Sequence, residues 1–269
     1  MSFAASSPLV SVLTTAFNRE AYIGQAIESI LASTLKDLEL IIVDDCSTDN
    51  TLKIAITYEE RDERVKVFVN EKNLGDYHNR NIAASYANGK YIKYLDSDDT
   101  IYPHGLQVMV DAMEAFPDAG FGLASKPEDE RPYPVCLSPE QIYAEHFGGF
   151  GHFNRAPGSS VIRRDVFLAE GGFSGERLVG DLELWLRLAR KYKMVKFPFD
   201  LYWNRLHQQQ EVNASDARTV YRQRTNELLL AALRHPDCPL PVAETQKFIN
   251  SLKRPTLMKI QNKISRRLS

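Results

Sequence analysis

Two apolar runs in the first hundred residues each stop abruptly on a cluster of acids. Leu38–Val43 (LELIIV) ends in Asp44-Asp45-Cys46-Ser47-Thr48-Asp49, and Tyr91–Leu95 (YIKYL) ends in Asp96-Ser97-Asp98-Asp99. Short runs of branched and aromatic residues closed by turn formers read as strands buried on both faces. Leu9–Phe17 and Val65–Val69 have the same character. Helical spacing fills the gaps. In Tyr22–Ser33 the residues Ile23, Ala26, Ile27, Ile30 and Leu31 share a face, and Asn50–Glu60 and His78–Ala87 are the next helices. Strand and helix alternating through short connections specify an α/β fold, a mostly parallel sheet flanked by helices. Ligands of such sheets bind outside the strand carboxyl ends. The polar clusters Thr15–Asn18, Asp44-Asp45 and Asp96–Asp99 all fall there, so three loops are expected to meet on one rim.

Farther along, helices are expected over Pro103–Phe116, Asp181–Tyr192 and Ser215–Arg234, with a short strand at Ser159–Ile162. The proline-rich stretch Pro127–Pro139 reads as a loop, and glycines at 148, 149 and 151, with Arg155 beyond them, suggest a flap. Near the end, Leu257, Ile260, Ile264 and Leu268 form one stripe of a short basic helix. From Lys247 onward there are seven basic residues and no acidic one. That combination suits peripheral contact with a membrane surface.

Composition narrows the function classes. A net charge of −2 supplies no basic field for nucleic acid, so no nucleic-acid partner is expected. Three cysteines, far apart and without CxxC spacing, form neither a disulfide framework nor a zinc site. No apolar run approaches the roughly 18–20 residues of a spanning helix, and residues 1–7 lack a signal-peptide pattern. A cytoplasmic location, peripheral at the inner membrane face, is the expectation.

Chemistry concentrates at Asp96-Ser97-Asp98. Two carboxylates two residues apart, leaving a strand, can share Mg2+ or Mn2+ with a diphosphate. Taken alone, the triplet is as readily turn chemistry. Asp181 opens a helix whose N-terminus favours a carboxylate, with Trp185 and Leu188 on the same face. That position equally suits a helix cap. His207 alone is an ordinary loop histidine.

The ordered blocks add what single motifs cannot. Residues 8–51 (PLVSVLTTAFNREAYIGQAIESILASTLKDLELIIVDDCSTDNT) resemble the N-terminal signature of the family 2 glycosyltransferases. Asn73-Leu74-Gly75, Arg80-Asn81 and Gly89–Asp99 resemble the next block. Gly171-Gly172-Phe173 with Gly180–Arg187 resembles the acceptor-side block, and Arg205-Leu206-His207 the closing R-x-H element. The resemblance implies a GT-A fold and an inverting transfer of sugar from a nucleotide-diphosphate donor, UDP-linked most often, to a glycan or lipid-linked glycan acceptor. It assigns Thr15, Ala16, Phe17, Asn18, Asp44, Asp45, Arg80, Asp96 and Ser97 to the nucleotide. Asp96, Asp98 and His207 go to a Mn2+ or Mg2+ ion, Asp181 to the catalytic base, and Gly180, Glu183 and Trp185 to the acceptor side, where Trp185 would be an apolar wall. The implied organisation is a GT-A domain over 1–235 and a basic helical extension over 236–269. Within that domain, about 1–100 is the nucleotide-binding half and about 101–210 the acceptor half.

Three positions depart from the pattern. Ala16-Phe17 stands where proline or a small residue and tyrosine are common. Cys46 replaces a glycine, tolerable if its φ is negative. Gly180 stands where a glutamate often precedes the base. Two alternatives remain at this level. One is a haloacid-dehalogenase-like phosphatase, since LDSDDT fits that family's DxDxT string with Asp96 as nucleophile and Asp98 as acid/base, although about 95 residues precede it. The other is a degenerate nucleotide-binding module.

Overall fold

The expected strands form and align. The computed structural model describes residues 7–126, 131–207 and 216–253. Strands β1 (Val10–Ala16), β2 (Leu38–Asp44), β3 (Val65–Val69) and β4 (Tyr91–Tyr94) are joined by helices α1 (Ile23–Leu31), α2 (Thr51–Glu59) and α3 (Asp76–Tyr86). Beyond them come β5 (Thr100–Ile101), α4 (Gly105–Glu114), β6 (Ala119–Ala124), β7 (Val135–Leu137), α5 (Pro139–Glu145), β8 (Ser160–Arg163) and α6 (Arg164–Ala169). The described chain closes with α7 (Gly180–Lys191), β9 (Lys193–Phe197), β10 (Tyr202–Trp203), α8 (Ala217–Arg234) and α9 (Val242–Leu252).

The eight-stranded sheet has the order β3-β2-β1-β4-β8-β6-β9-β7. β3, β2, β1 and β4 are parallel, as is β6 with β9, while β8 and β7 run antiparallel to their neighbours. Alternation along each strand divides the core. Leu38, Leu40 and Ile42 of β2 pack with α1, α2 and α4 on one face. Ile41 and Val43 of the same strand pack on the other, with α3, α5, α6 and α7. A period of two on a sheet covered on both sides produces this split. A separate two-stranded pair, β5 with β10, lies at the rim.

Three elements depart from the sequence-based expectation. β6 (AGFGLA) is fully buried, but its glycines interrupt the apolar pattern. A Cβ on Gly122 would lie 2.7 Å from the Phe197 ring, so only glycine lets β6 approach that side chain. β9 (KMVKF) is broken by lysines, yet Lys196 is fully buried and donates to the Ala124 carbonyl at 3.0 Å. In the stretch expected as a loop, residues 135–137 form the edge strand β7. There α5 starts at Pro139, behind a capping box in which Ser138 N donates to Gln141 Oε1 at 2.9 Å. The basic stripe from Leu257 to Leu268 lies outside the described residues.

Cys46 corrects a second expectation. Its φ is +65°, in the left-handed region. The tight turn after β2, closed by Ser47 N donating to Asp44 Oδ2 at 2.8 Å, forces this conformation. A residue with a Cβ is strained there. Replacing Cys46 by glycine is expected to raise unfolding stability by about 0.5–1 kcal/mol, net of glycine's unfolded-state entropy. Urea titration measures this, and an unchanged or lower midpoint would show that the turn carries no strain.

Candidate active site

The Asp96–Asp99 turn follows β4 and is closed by Asp99 N donating to the Asp96 carbonyl at 2.9 Å. Its three carboxylates do different things. Asp96 accepts from Arg80 Nη2 at 2.7 Å, and the same guanidinium donates through Nε to Asp76 at 2.8 Å. Burial works against the Arg80 charge, but the Asp76 and Asp96 carboxylates outweigh it and hold its pKa well above the ordinary value. Asp98 Oδ2 accepts from Arg19 Nε at 3.1 Å and lies 2.9 Å from His207 Nε2. Asp99 points inward and accepts from Asn204 Nδ2 at 3.0 Å and Arg205 N at 2.9 Å. Burial, then the neighbouring Asp96 charge, push Asp99 up to about 7. Among the described residues, Asp96, Asp98 and Asp99 offer one oxygen each within 4.8 Å of one another. Such an all-carboxylate set suits a hard divalent cation.

His207 reaches this cluster because Asp99 anchors the segment that carries it. Arg205 adds Nε to the Asp98 carbonyl at 2.8 Å and Nη2 to Gln25 at 2.7 Å. Its guanidinium also lies over the Tyr22 and Trp203 rings, 4.9 Å and 4.6 Å from their centroids.

Thr15, Ala16, Phe17, Asn18 and Asp44-Asp45 come together at the ends of β1 and β2. Phe17 is half-exposed and Ala16 buried. Asn18 Oδ1 accepts from Thr48 N at 2.8 Å, so this side chain braces the loop after β2. The two aspartates diverge. Asp45 accepts from Asn70 Nδ2 at 2.7 Å and from Leu74 N and Gly75 N, each at 2.9 Å. Its carboxylate is engaged in holding the 70–75 loop. Asp44 is buried, and its Oδ1 has no hydrogen-bond partner among the described residues. A buried acceptor of that kind is expensive unless something donates to it. Ser97 is buried inside its turn.

Asp181 lies in the first turn of α7, after an N-cap at Val179, and accepts from Leu182 N at 2.7 Å. It is not itself the cap. Burial raises its pKa to about 6, opposed by the Leu182 amide and the nearby Arg80 charge. Tyr77 Oη accepts from Asp181 N at 3.2 Å. A Cβ on Gly180 would lie 2.7 Å from the Tyr77 ring, which explains why a larger residue is absent there. Arg80 therefore sits between the acid cluster and Asp181.

Two acceptor-side expectations are corrected. Trp185 is fully buried, parallel to Phe121 with ring centroids 6.3 Å apart, and donates Nε1–H to the Arg155 carbonyl at 2.8 Å. It is core, because the apolar stripe of an amphipathic helix faces the sheet. Glu183 is bound by both Nε and Nη2 of Arg187 at 2.9 Å. Arg187 in turn donates to the Glu170 and Gly172 carbonyls, so Glu183 fixes the glycine turn before α7. The sequence reading missed Arg19, Asp76, Tyr77, Asp99 and Asn204. Of these, only Asp99, the fourth residue of DSDD, carried a visible signal.

The profile of the family described as Glycosyl transferase family 2 matches residues 11–169, more than half of the chain. The putative teichuronic acid biosynthesis glycosyltransferase TuaG of Bacillus subtilis (strain 168) is 40% identical over 123 residues, 44% of this chain and 49% of that protein. The GalNAc(5)-diNAcBac-PP-undecaprenol beta-1,3-glucosyltransferase of Campylobacter jejuni is 34% identical over 171 residues, 63% of this chain and 50% of that one. The matches thus span about half the length of these curated relatives. Among solved structures, S. aureus TarS 1-349 in complex with UDP-GlcNAc is similar with a TM-score of 0.69 at 19% identity, over 90% of this chain and 71% of that one. The mannosyltransferase PcManGT from Pyrobaculum calidifontis, in complex with GDP-Man and Mn2+, gives 0.62 at 17% identity, over 91% and 70%. The fold is therefore of the GT-A kind, and the dehalogenase-like alternative loses its basis.

The two rim aspartates should separate experimentally. Asp45→Ala leaves three donors without their acceptor and is expected to cost about 2–4 kcal/mol of stability. Asp44→Ala should leave stability within about 1 kcal/mol of the parent, because only one hydrogen bond is lost. Chemical denaturation of both variants decides, and equal losses would contradict the division of labour.

Proposed function

The chain is a member of the family 2 glycosyltransferases, and from that premise we propose that it transfers a sugar from a UDP-sugar to a glycan hydroxyl with inversion. The observation that carries this reading is Asp181. It is a carboxylate whose pKa is raised to about 6 at the start of a helix, joined through Arg80 to a cluster of three acids. A base that titrates just below neutrality is ionised at working pH and still accepts a proton readily.

In this reading the acceptor hydroxyl hydrogen-bonds to Asp181. As its oxygen attacks the anomeric carbon, the proton passes to the carboxylate and the bond to the diphosphate breaks on the opposite face. The products are an inverted glycoside and a nucleoside diphosphate. Asp96 and Asp98, with His207, would hold Mg2+ or Mn2+, which when bound neutralises charge on the departing diphosphate. Arg80 orients Asp96 and stays charged throughout. Asp44 Oδ1 suits the N–H of a pyrimidine base, and the TarS complexes contain UDP and UDP-GlcNAc. The named relatives support an acceptor of the polysaccharide or lipid-linked glycan class. No described helix is long and apolar enough to cross a membrane. Peripheral contact through the basic residues after Lys247 belongs to the same proposal.

Calorimetry with UDP, GDP and dTDP, each with and without Mn2+, tests the donor. Mn2+-dependent binding of UDP is expected, and its loss in Asp98→Ala. Asp181→Asn should bind UDP normally and lose transfer by at least about a hundredfold. Retained turnover would remove Asp181 from its role. The pH profile carries a sign: the ionised form is active, so kcat/KM should fall about tenfold per pH unit below about 6. A profile flat from pH 7 to 5 would contradict the assignment.

A further inference from the structure

A second concavity lies on the other side of the acid cluster from the β1–β2 rim, over the carboxyl ends of β6 and β9. Its volume is about 300 Å3, at the lower end of small-molecule pockets. Tyr102, Phe199 and Trp203 line it and remain 42%, 43% and 45% exposed. Asn154, Asp200 and Asn204 bring polar groups between the rings. Half-exposed aromatic rings grouped round one concavity mark a binding surface more often than a packing accident.

The pocket is held in shape from below and from its rim. Lys93, fully buried, places Nζ 5.2 Å from the Tyr202 ring centroid and donates to the Tyr94 and Gly158 carbonyls. One buried side chain thus fastens the pocket floor to the strand that leads to Asp96. Asp200, beside Phe199, has φ +59°, a left-handed conformation that a residue with a Cβ adopts only under constraint. The Arg205 guanidinium covers one side of Trp203. Asn204 lines the pocket while its amide donates to both Asp99 oxygens, at 3.3 and 3.0 Å. The pocket and the acid cluster therefore share a wall.

We propose that this pocket binds one pyranose ring of the saccharide acceptor, a subsite that rests on the transferase reading above. A pyranose presents an apolar C–H face and a rim of hydroxyls, and a lining that combines flat rings with amide and carboxylate groups complements both. An alkyl chain would cover the exposed polar groups of Asn154 and Asp200 and offer them nothing to bond to. A nucleobase has its own position at Asp44, across the acid cluster.

Saturation-transfer NMR on the full chain tests the assignment, with methyl glycosides of hexoses, N-acetylhexosamines and hexuronic acids as probes. At least one glycoside should receive saturation. Phe199→Ala and Tyr102→Ala, neither of which touches the acid cluster, should each weaken it by about tenfold. UDP binding with Mn2+ is measured calorimetrically on the same samples and should be unchanged. No contact with any glycoside, contact in both variants undiminished from the parent, or displacement of the glycoside by UMP would overturn the subsite. Failure of UDP to bind the parent protein would instead sink the donor reading, so the two failures are distinguishable.

Discussion

A single guanidinium, that of Arg80, sits buried between Asp76 and Asp96 with Asp181 close by. A buried cation is tolerated only when its charge is matched, and removing one partner of such a pair costs about 3–5 kcal/mol. Arg80 meets that demand with two carboxylates from different elements, so α3 and the turn after β4 cannot move independently. Its Coulombic pull also restrains Asp181, which burial alone would push higher. Charge placement thus links the helix that carries Asp181 to the strand that leads into the acid cluster. The close approach of the Tyr77 ring to Gly180 sets the distance between α3 and α7.

The acid cluster serves structure as well as chemistry. Asp99 turns away from the rim and binds Asn204 and the Arg205 amide, which brings a segment more than a hundred residues distant back over the strand ends. That anchor, with the bonds of Arg205 to the Asp98 carbonyl and Gln25, sets His207 beside Asp98. Asp45 does the corresponding work on the other side for the 70–75 loop. In each acidic pair one carboxylate holds a distant segment, Asp99 the 204–205 stretch and Asp45 the 70–75 loop.

The first four strands and their acidic ends were legible because unbroken apolar runs and turn formers are local signals. β6 and β9 were not, since glycines at the closest packing distances and a buried lysine both break the apolar pattern while serving the core. Trp185 was misread because helical spacing identifies a stripe, not what the stripe meets. The φ of Cys46 depends on a turn closed by its neighbours, Asp44 and Ser47. Arg19 and Tyr77 act on partners 79 and 104 residues away, and no local pattern announces such meetings.

The reversed strand β8 has a consequence for how such a molecule can diversify. β6 leaves the sheet at the functional rim, and β8, running the opposite way, re-enters at that same rim. Among the described residues the excursion between them contributes the edge strand β7, helix α5 and two short helical turns at His146–Phe150 and Pro157–Ser159. Its two ends are fixed points, set by strands whose registers do not depend on what lies between. The exposed positions of this excursion can therefore vary while the opposite half of the rim stays as it is; Leu137, Ile142, Tyr143 and Phe153 are tied to the core. A lineage built on this plan can explore new recognition surfaces without re-solving its chemistry.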